Sequence, residues 1–259
     1  MITSRYRLLA VCCVTLCMAA CGRHGRQANT QGNHNGLSSQ ADTKSEDQCY
    51  NPYYPVLPGE SLEYETKYEG DAQAPYTFTV TFPEIGDDSF VRRQESPSGL
   101  SVDTTWKCNS DGLASTQFGD LALLQTRLQL EARSASGVVI PAADRWRKGA
   151  KWEYSYTVGG KMVLGGGAPQ SVSVNGAVSV ENTIGKEELI TVAAGTFDAF
   201  KVTSVFTEKL AIKGTSDMPF DISFTAESWY AKDVGLVKAT SEDLRMSTEL
   251  VTFAKQTGG

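Results

Sequence analysis

A residue alternation with a period near two constrains this chain most, recurring from Ser61 to Phe253 and broken at short intervals by Gly, Pro, Asn or Asp. Period two places every second side chain on one face of an extended strand, so each segment can bury one face and solvate the other. Ser61–Tyr68 alternates larger hydrophobic residues with polar ones, and Tyr76–Phe82 does so more cleanly. Ser89–Arg93, Leu100–Trp106 and Leu124–Glu131 follow. Over Asp120–Ala132 helix propensity competes. There Thr126, Leu128 and Leu130 alternate with Arg127, Gln129 and Glu131, and no strong cap is present, so strand is the preferred reading. Farther on, Trp152–Val158 alternates aromatic and polar residues before an expected turn at Gly159–Gly160. Ser171–Val180, Glu187–Val192, Phe197–Phe206, Asp221–Tyr230, Gly235–Ser241 and Arg245–Phe253 complete the series. Thr191–Phe197 reads as two strands joined by a tight turn in which Gly195 is free to take positive φ. No strand alternates with a convincing helix, which argues against Rossmann or TIM architecture. The expected fold is all-β: a curved antiparallel sheet, an open or half barrel, with two similar lobes as a further expectation.

The two-lobe expectation rests on an internal echo. Tyr54-Pro55 with Gly59, Leu62 and Tyr64 parallels Trp146, Gly149, Trp152 and Tyr154. In each case an aromatic precedes a Gly, and two large residues two apart follow on one strand face. Duplication would put a boundary near residues 134–144; the alternative is that any turn–strand unit has this form.

The first 48 residues are of another kind. Arg5 and Arg7 form a basic start, Leu8–Ala20 is an apolar stretch of 13 residues, and Met18-Ala19-Ala20-Cys21 closes it with small residues before the cysteine. A bilayer-spanning helix needs about 20 apolar residues, so residues 1–20 read as a cleaved export signal. The segment resembles bacterial lipoprotein signals, with Met18 where that family most often has Leu. The resemblance implies cleavage before Cys21 and acylation of its thiol; an ordinary signal cut after Ala20 is the alternative. Either implies export. Gly22–Gln48 holds one Leu and no other large apolar residue across 27 positions, so with Cys21 it reads as a flexible tether over residues 21–48. Its reach is roughly 30 Å. The expected partner at this end is a membrane, held through an N-terminal acyl anchor, and the expected location is the bacterial envelope, most simply the outer membrane facing the periplasm.

Residues 49–259 are the folding unit. Loss of Arg5 and Arg7 with the leader takes the formal charge from −6 to −8, which argues against nucleic acid as a partner. Six cysteines sort by compartment: Cys12, Cys13 and Cys17 leave with the leader, Cys21 carries lipid, and Cys49 and Cys108 remain as one pair. In an oxidising compartment a disulfide is the simplest reading, free thiols the alternative.

Three segments carry a family resemblance. Asn51–Tyr64 (NPYYPVLPGESLEY), Ile190–Val202 (ITVAAGTFDAFKV) and Trp229–Lys238 (WYAKDVGLVK) are similar to DUF3108-like or TapB-type bacterial lipoprotein domains. Leu62 replaces a usual Trp, Ala193 a common Pro, and Asp233 a less acidic turn residue. The resemblance implies an antiparallel β fold on an exported protein and assigns no reaction.

Catalytic chemistry finds little support. Both histidines, His24 and His34, lie in the tether, so the folding unit has none for nucleophilic triads or common zinc sites. Glu84, Asp87 and Asp88 group in one expected loop, and Glu181, Glu187 and Glu188 in another; both read as solvated turns. Gly159-Gly160 and Gly165-Gly166-Gly167 fit no phosphate-loop pattern and suggest a hairpin. Arg145-Trp146-Arg147-Lys148 is expected as a surface turn with the Trp beneath it. Trp152, Tyr154 and Tyr156 share one strand face and are the candidate ligand-face aromatics, although core filling is the simpler role. No cofactor or metal is expected. The leading expectation is a non-enzymatic lipoprotein that contacts an envelope or surface partner. The alternatives are a carrier of a lipid or other apolar ligand in a curved-sheet cavity, and a carboxylate-based hydrolase.

Overall fold

The structure is a computed structural model and describes residues 49–70, 74–117, 128–164, 170–213 and 218–254. The leader, Cys21 and the tether lie outside these residues. Among the described residues, thirteen strands form one sheet: β1 Ser61–Tyr68, β2 Tyr76–Ile85, β3 Ser89–Glu95, β4 Ser101–Asn109, β5 Gly112–Ser115, β6 Leu128–Gly137, β7 Ile140–Pro141, β8 Lys151–Leu164, β9 Gln170–Val192, β10 Gly195–Lys213, β11 Met218–Ala231, β12 Gly235–Ser241 and β13 Met246–Ala254. Every recorded pairing is antiparallel, and the strand order is β6-β8-β9-β10-β11-β12-β13-β1-β2-β3-β4-β5-β7.

That order has a consequence for shape. β6 and β7 are separated only by Val138 and Val139, yet they lie at opposite ends of the strand order. The sheet therefore curves until its two edges meet at this link. It is an open curved sheet and not a closed barrel, because β6 pairs with β8 and β7 with β5, with no ladder between the two edges among the described residues. Val139 fastens the seam: its N–H donates to Leu113 O at 2.8 Å, and its carbonyl accepts the Trp152 indole N–H at 3.1 Å. Region 134–144, expected as a lobe boundary, is this seam. The meanders on either side share one sheet through the β13–β1 ladder, and one continuous core runs through both.

The expected strands over 61–68 and 235–241 appear with the expected bounds. Two expected breaks do not appear. Gly159 and Gly160 lie inside β8, opposite Glu131 and Leu130 of β6, and make no turn. Gly159 is covered by Arg133: a Cβ there would meet the guanidinium at 2.3 Å, so the glycine permits side-chain cover and not chain reversal. Ser171–Val180 and Glu187–Val192 belong to one strand of 23 residues, β9. Asn182 is absorbed because its side chain is bonded inward, and Gly185 because it lies against the irregularity of β10 between Phe200 and Val202. The tight turn at Ala193-Ala194 is as expected, with Gly195 at φ 141°. Gly165–Gly167 and the first part of Leu124–Glu131 fall outside the described residues.

Candidate functional site

The segment before β1 organises the interior. Cys49 is bonded to Cys108 of β4, with Cα atoms 5.0 Å apart, so the expected disulfide forms. Asn51, almost wholly buried, donates from Nδ2 to Pro141 O at 2.8 Å and accepts from Tyr53 N–H at 3.0 Å. This turn sends successive aromatics in different directions. Tyr53 stacks on Trp146 at 4.3 Å, in a cluster with Trp152, Phe200 and Tyr230. Tyr54 stacks on Trp106 at 5.4 Å, beside Phe82 and Phe90. Asp233 N–H closes the arrangement on Pro52 O at 2.6 Å. Trp146 is packed beneath the exposed Arg147 and Lys148, as expected of the basic turn.

Around Tyr54 lies a polar group that patterning alone did not single out. β3 points Phe90, Arg92 and Gln94 inward, and all three are at most 2% exposed. Arg92 hydrogen-bonds the Tyr54 hydroxyl, while burial holds both the Tyr54 and Tyr64 hydroxyls well above their usual range. Tyr64 donates to Leu236 O at 2.9 Å, tying β1 to β12. Glu60 is buried within electrostatic range of both tyrosines. Thr104 Oγ1 accepts the Trp106 indole N–H at 2.9 Å and donates to Arg92 O at 3.1 Å. The free space here is only about 10 Å³. A tight set of buried polar groups in so little space fixes strand positions; it leaves no room for a substrate.

The candidate ligand-face aromatics are core. Tyr154 and Tyr156 are buried and meet edge to face at 5.9 Å, while Trp152 is half-buried with its N–H committed to Val139. Trp152 and Tyr154, but not Tyr156, border a cavity of about 30 Å³ together with Asn182, Ser204, Ser228 and Tyr230. Ser204 Oγ donates to Asn182 Oδ1 at 2.7 Å, and Asn182 Nδ2 has no partner among the described residues. Four residues beyond Ser204 on β10, Glu208 is 2% exposed, its Oε1 without a partner among the described residues; burial pushes its carboxyl up to about 8. The signal for Arg92, Gln94, Asn182 and Glu208 was present in the alternation, since each takes the inward phase of its strand.

The two acidic groups do not form carboxylate sites. Glu181, Glu187 and Glu188 lie within β9 and not in a loop, and Glu84 lies within β2, one residue before its end. Glu188 accepts the Trp229 indole N–H at 2.6 Å, which, with Lys186 at 3.4 Å, holds its carboxyl below the usual range. Lys201 lies 5.5 Å from the same indole ring and pairs with Glu227. These charges cover an outward-facing Trp. Asp88 carries the β2–β3 turn, accepting from Ser89 Oγ and, at its carbonyl, from Cys108 N–H. Among the described residues, no group of three or more His, Cys, Asp or Glu side chains is placed to hold a metal ion. A surface groove of about 410 Å³ lies at the rim, bounded by Pro58, Gly59, Ser61, Thr81, Pro83 and Ile85.

A family model described as DUF3108-like matches residues 171–251, which span β9 to β13. Among solved structures, the chain is similar to an exported protein with a YmcC-like fold from Bacteroides fragilis, at 15% identity over 80% of this chain and 100% of that one, with a TM-score of 0.48. It is also similar to a lipoprotein from Parabacteroides distasonis, at 14% identity over 79% and 99%, TM-score 0.43. A third likeness is to the hypothetical lipoprotein YmcC from Escherichia coli, at 9% identity over 77% and 88%, TM-score 0.30. No curated protein matches the chain.

Proposed function

We propose that this protein is a non-catalytic lipoprotein of the bacterial envelope, acylated at Cys21 and tethered through residues 21–48, whose β domain contacts an envelope partner. The observation that carries the partner reading over the carrier reading is the filled interior. Small-molecule sites generally enclose about 300–1,000 Å³. Among the described residues, the interior spaces beside Tyr54 and beside Trp152 hold about 10 and 30 Å³, and the inward faces are occupied by Tyr54, Trp106, Tyr64, Phe78, Phe206 and Phe224. Recognition therefore belongs to the outer surface, where Lys201–Glu227 and Lys238–Glu249 pairs alternate across β10 to β13. The outer membrane, on its periplasmic face, is the location we assign to the anchor.

Two measurements test this. Fractionation of cells expressing the full chain should place the protein in the membrane, with Cys21→Ala abolishing acyl labelling; an unlabelled, freely released mature protein would refute the anchor. In-envelope cross-linking should capture a defined protein partner, while native mass spectrometry of the mature protein should show no bound lipid. A stoichiometric lipid adduct would instead establish the carrier reading.

A further inference from the structure

The two edges of the sheet are not equally protected. β7 is two residues long, Ile140 is buried, and Pro141 has no N–H to offer. The Pro141 carbonyl already accepts from Asn51 Nδ2 at 2.8 Å and from Trp146 Nε1 at 3.3 Å. Short length and proline keep an edge from pairing with another chain. β6, at the other edge, is ten residues long, contains no proline, and pairs only with β8 among the described residues. Every residue from Glu131 to Gly137 is exposed except the half-buried Ala132. Such an edge presents a row of N–H and C=O groups to which an extended strand can add.

The charges on β6 say which strand fits. Glu131 is the ladder partner of Gly159, and the Arg133 guanidinium lies where a side chain on Gly159 would point. Directly paired residues share a face, so Glu131 and Arg133 stand two apart on one face of the edge. Neither is in an ion pair among the described residues. We propose that the β6 edge pairs antiparallel with the β6 edge of a second copy of this chain, about a two-fold axis through Ala132. In that register Glu131 of each copy lies opposite Arg133 of the other, so the edge is complementary to itself. Moving the axis by one residue in either direction sets Glu131 opposite Glu131 or Arg133 opposite Arg133, and like charges directly opposite are destabilising. The bulge between Ala132 and Ser134 bends the edge, so the paired segment is short and the association weak. The contact is separate from the partner surface proposed above, which lies on β10 to β13.

The test traps the pair in cells making the full chain. Residues directly opposite on antiparallel strands lie about 4.5–5.5 Å apart, within disulfide range. Ala132→Cys should therefore give a covalent dimer on mild oxidation. Ser136→Cys should not, because its counterparts lie about 27 Å apart along the strands. Adding Glu131→Lys or Arg133→Glu to Ala132→Cys should lower the dimer yield about tenfold, since two attractive pairs become repulsive. Co-expression of those two double variants should restore it, because each cation of one copy then faces a carboxylate of the other; restoration also shows that both fold. Should Ala132→Cys not accumulate, carbodiimide coupling of Glu131 to the new amine in Arg133→Lys tests the same register. Absence of any dimer, equal cross-linking at 132 and 136, or indifference to the charge reversals overturns the proposal. So does capture of a different protein alone, which would make β6 the site of a foreign strand.

Discussion

Glu208 takes the inward phase of β10 between Phe206 and Leu210, directly across the ladder from Val178 and Ile222. Burial is the one cause of its raised pKa, from 4.5 to about 8, and no described charge contributes. The unfolded chain releases this proton near pH 4.5 and the folded chain only near 8, so between those values the unfolded state binds fewer protons. The group's contribution is therefore fully present below pH 4.5 and is lost as pH rises through about 8. Such a shift corresponds to about 4–5 kcal/mol. Glu208→Gln should flatten this part of the stability–pH profile and raise stability at pH 8 by an amount of that order, measured by urea unfolding at several pH values. An unchanged profile would mean that the carboxyl is solvated. Asn51 offers a second test at this scale. Asn51→Ala removes the bonds to Pro141 O and Tyr53 N–H, both in the buried turn that aims Tyr53 and Tyr54. A loss of about 2–3 kcal/mol is expected, since each buried bond contributes about 1 kcal/mol and the abandoned groups add a desolvation cost.

Among the elements, the β6–β7 link depends on close backbone approach. Gly137 adopts φ 79°, and a Cβ there would meet Glu153 O at 2.3 Å and Tyr154 Cα at 2.9 Å. Both neighbours are backbone of β8 and cannot swing aside. Gly137→Ala should therefore cost about 2–4 kcal/mol by thermal or urea unfolding. Gly70→Ala is the matched control: φ is 86°, but no atom of the described residues lies within 4 Å of the added Cβ, so only the conformational part of the penalty remains. Equal losses in the two variants would show that the seam contributes nothing beyond backbone conformation. Strand existence along the chain was legible because alternation reports a half-buried surface directly. The continuity of β8 and β9 was not, because Gly159-Gly160 and Asn182 to Gly185 carry turn-like residues whose role is set by Arg133, Ser204 and Lys201 from other strands. Local chemistry specifies what a glycine permits, and the neighbouring strand decides which permission is used.

At the scale of the whole molecule, the disulfide joins the start of the described chain to β4 across a sequence separation of 59 residues. Cross-linking a loop of that length restricts the unfolded ensemble by about 4 kcal/mol in the chain-entropy account. The Cys49→Ala/Cys108→Ala double variant should lose about that much stability, and reductant should lower the melting temperature of the native protein but not of the variant. The bond also holds the turn that carries Tyr53 and Tyr54, so the variant should alter near-ultraviolet circular dichroism from the aromatic clusters as well. Retention of both stability and that signal would show that Asn51 and the stacked rings are enough to fix the segment.

The sequence by itself determined the all-β class, the antiparallel order of neighbouring strands, the cysteine pair and the buried status of most aromatics, because each follows from spacing or composition along the chain. The inward polar positions Arg92, Gln94, Asn182 and Glu208 were not singled out in the sequence, although each takes the inward phase of its strand. Tertiary structure alone decided that the two sheet edges meet at Val138–Val139, that Tyr53 and Tyr54 serve different clusters, and that the concave face is filled. Curvature and residual volume depend on how side chains from strands distant in sequence pack together. No local pattern carries that sum, so a ligand wall stayed open as the alternative to core for Trp152 and Tyr154 until Val139, Asn182 and Ser204 are placed beside them.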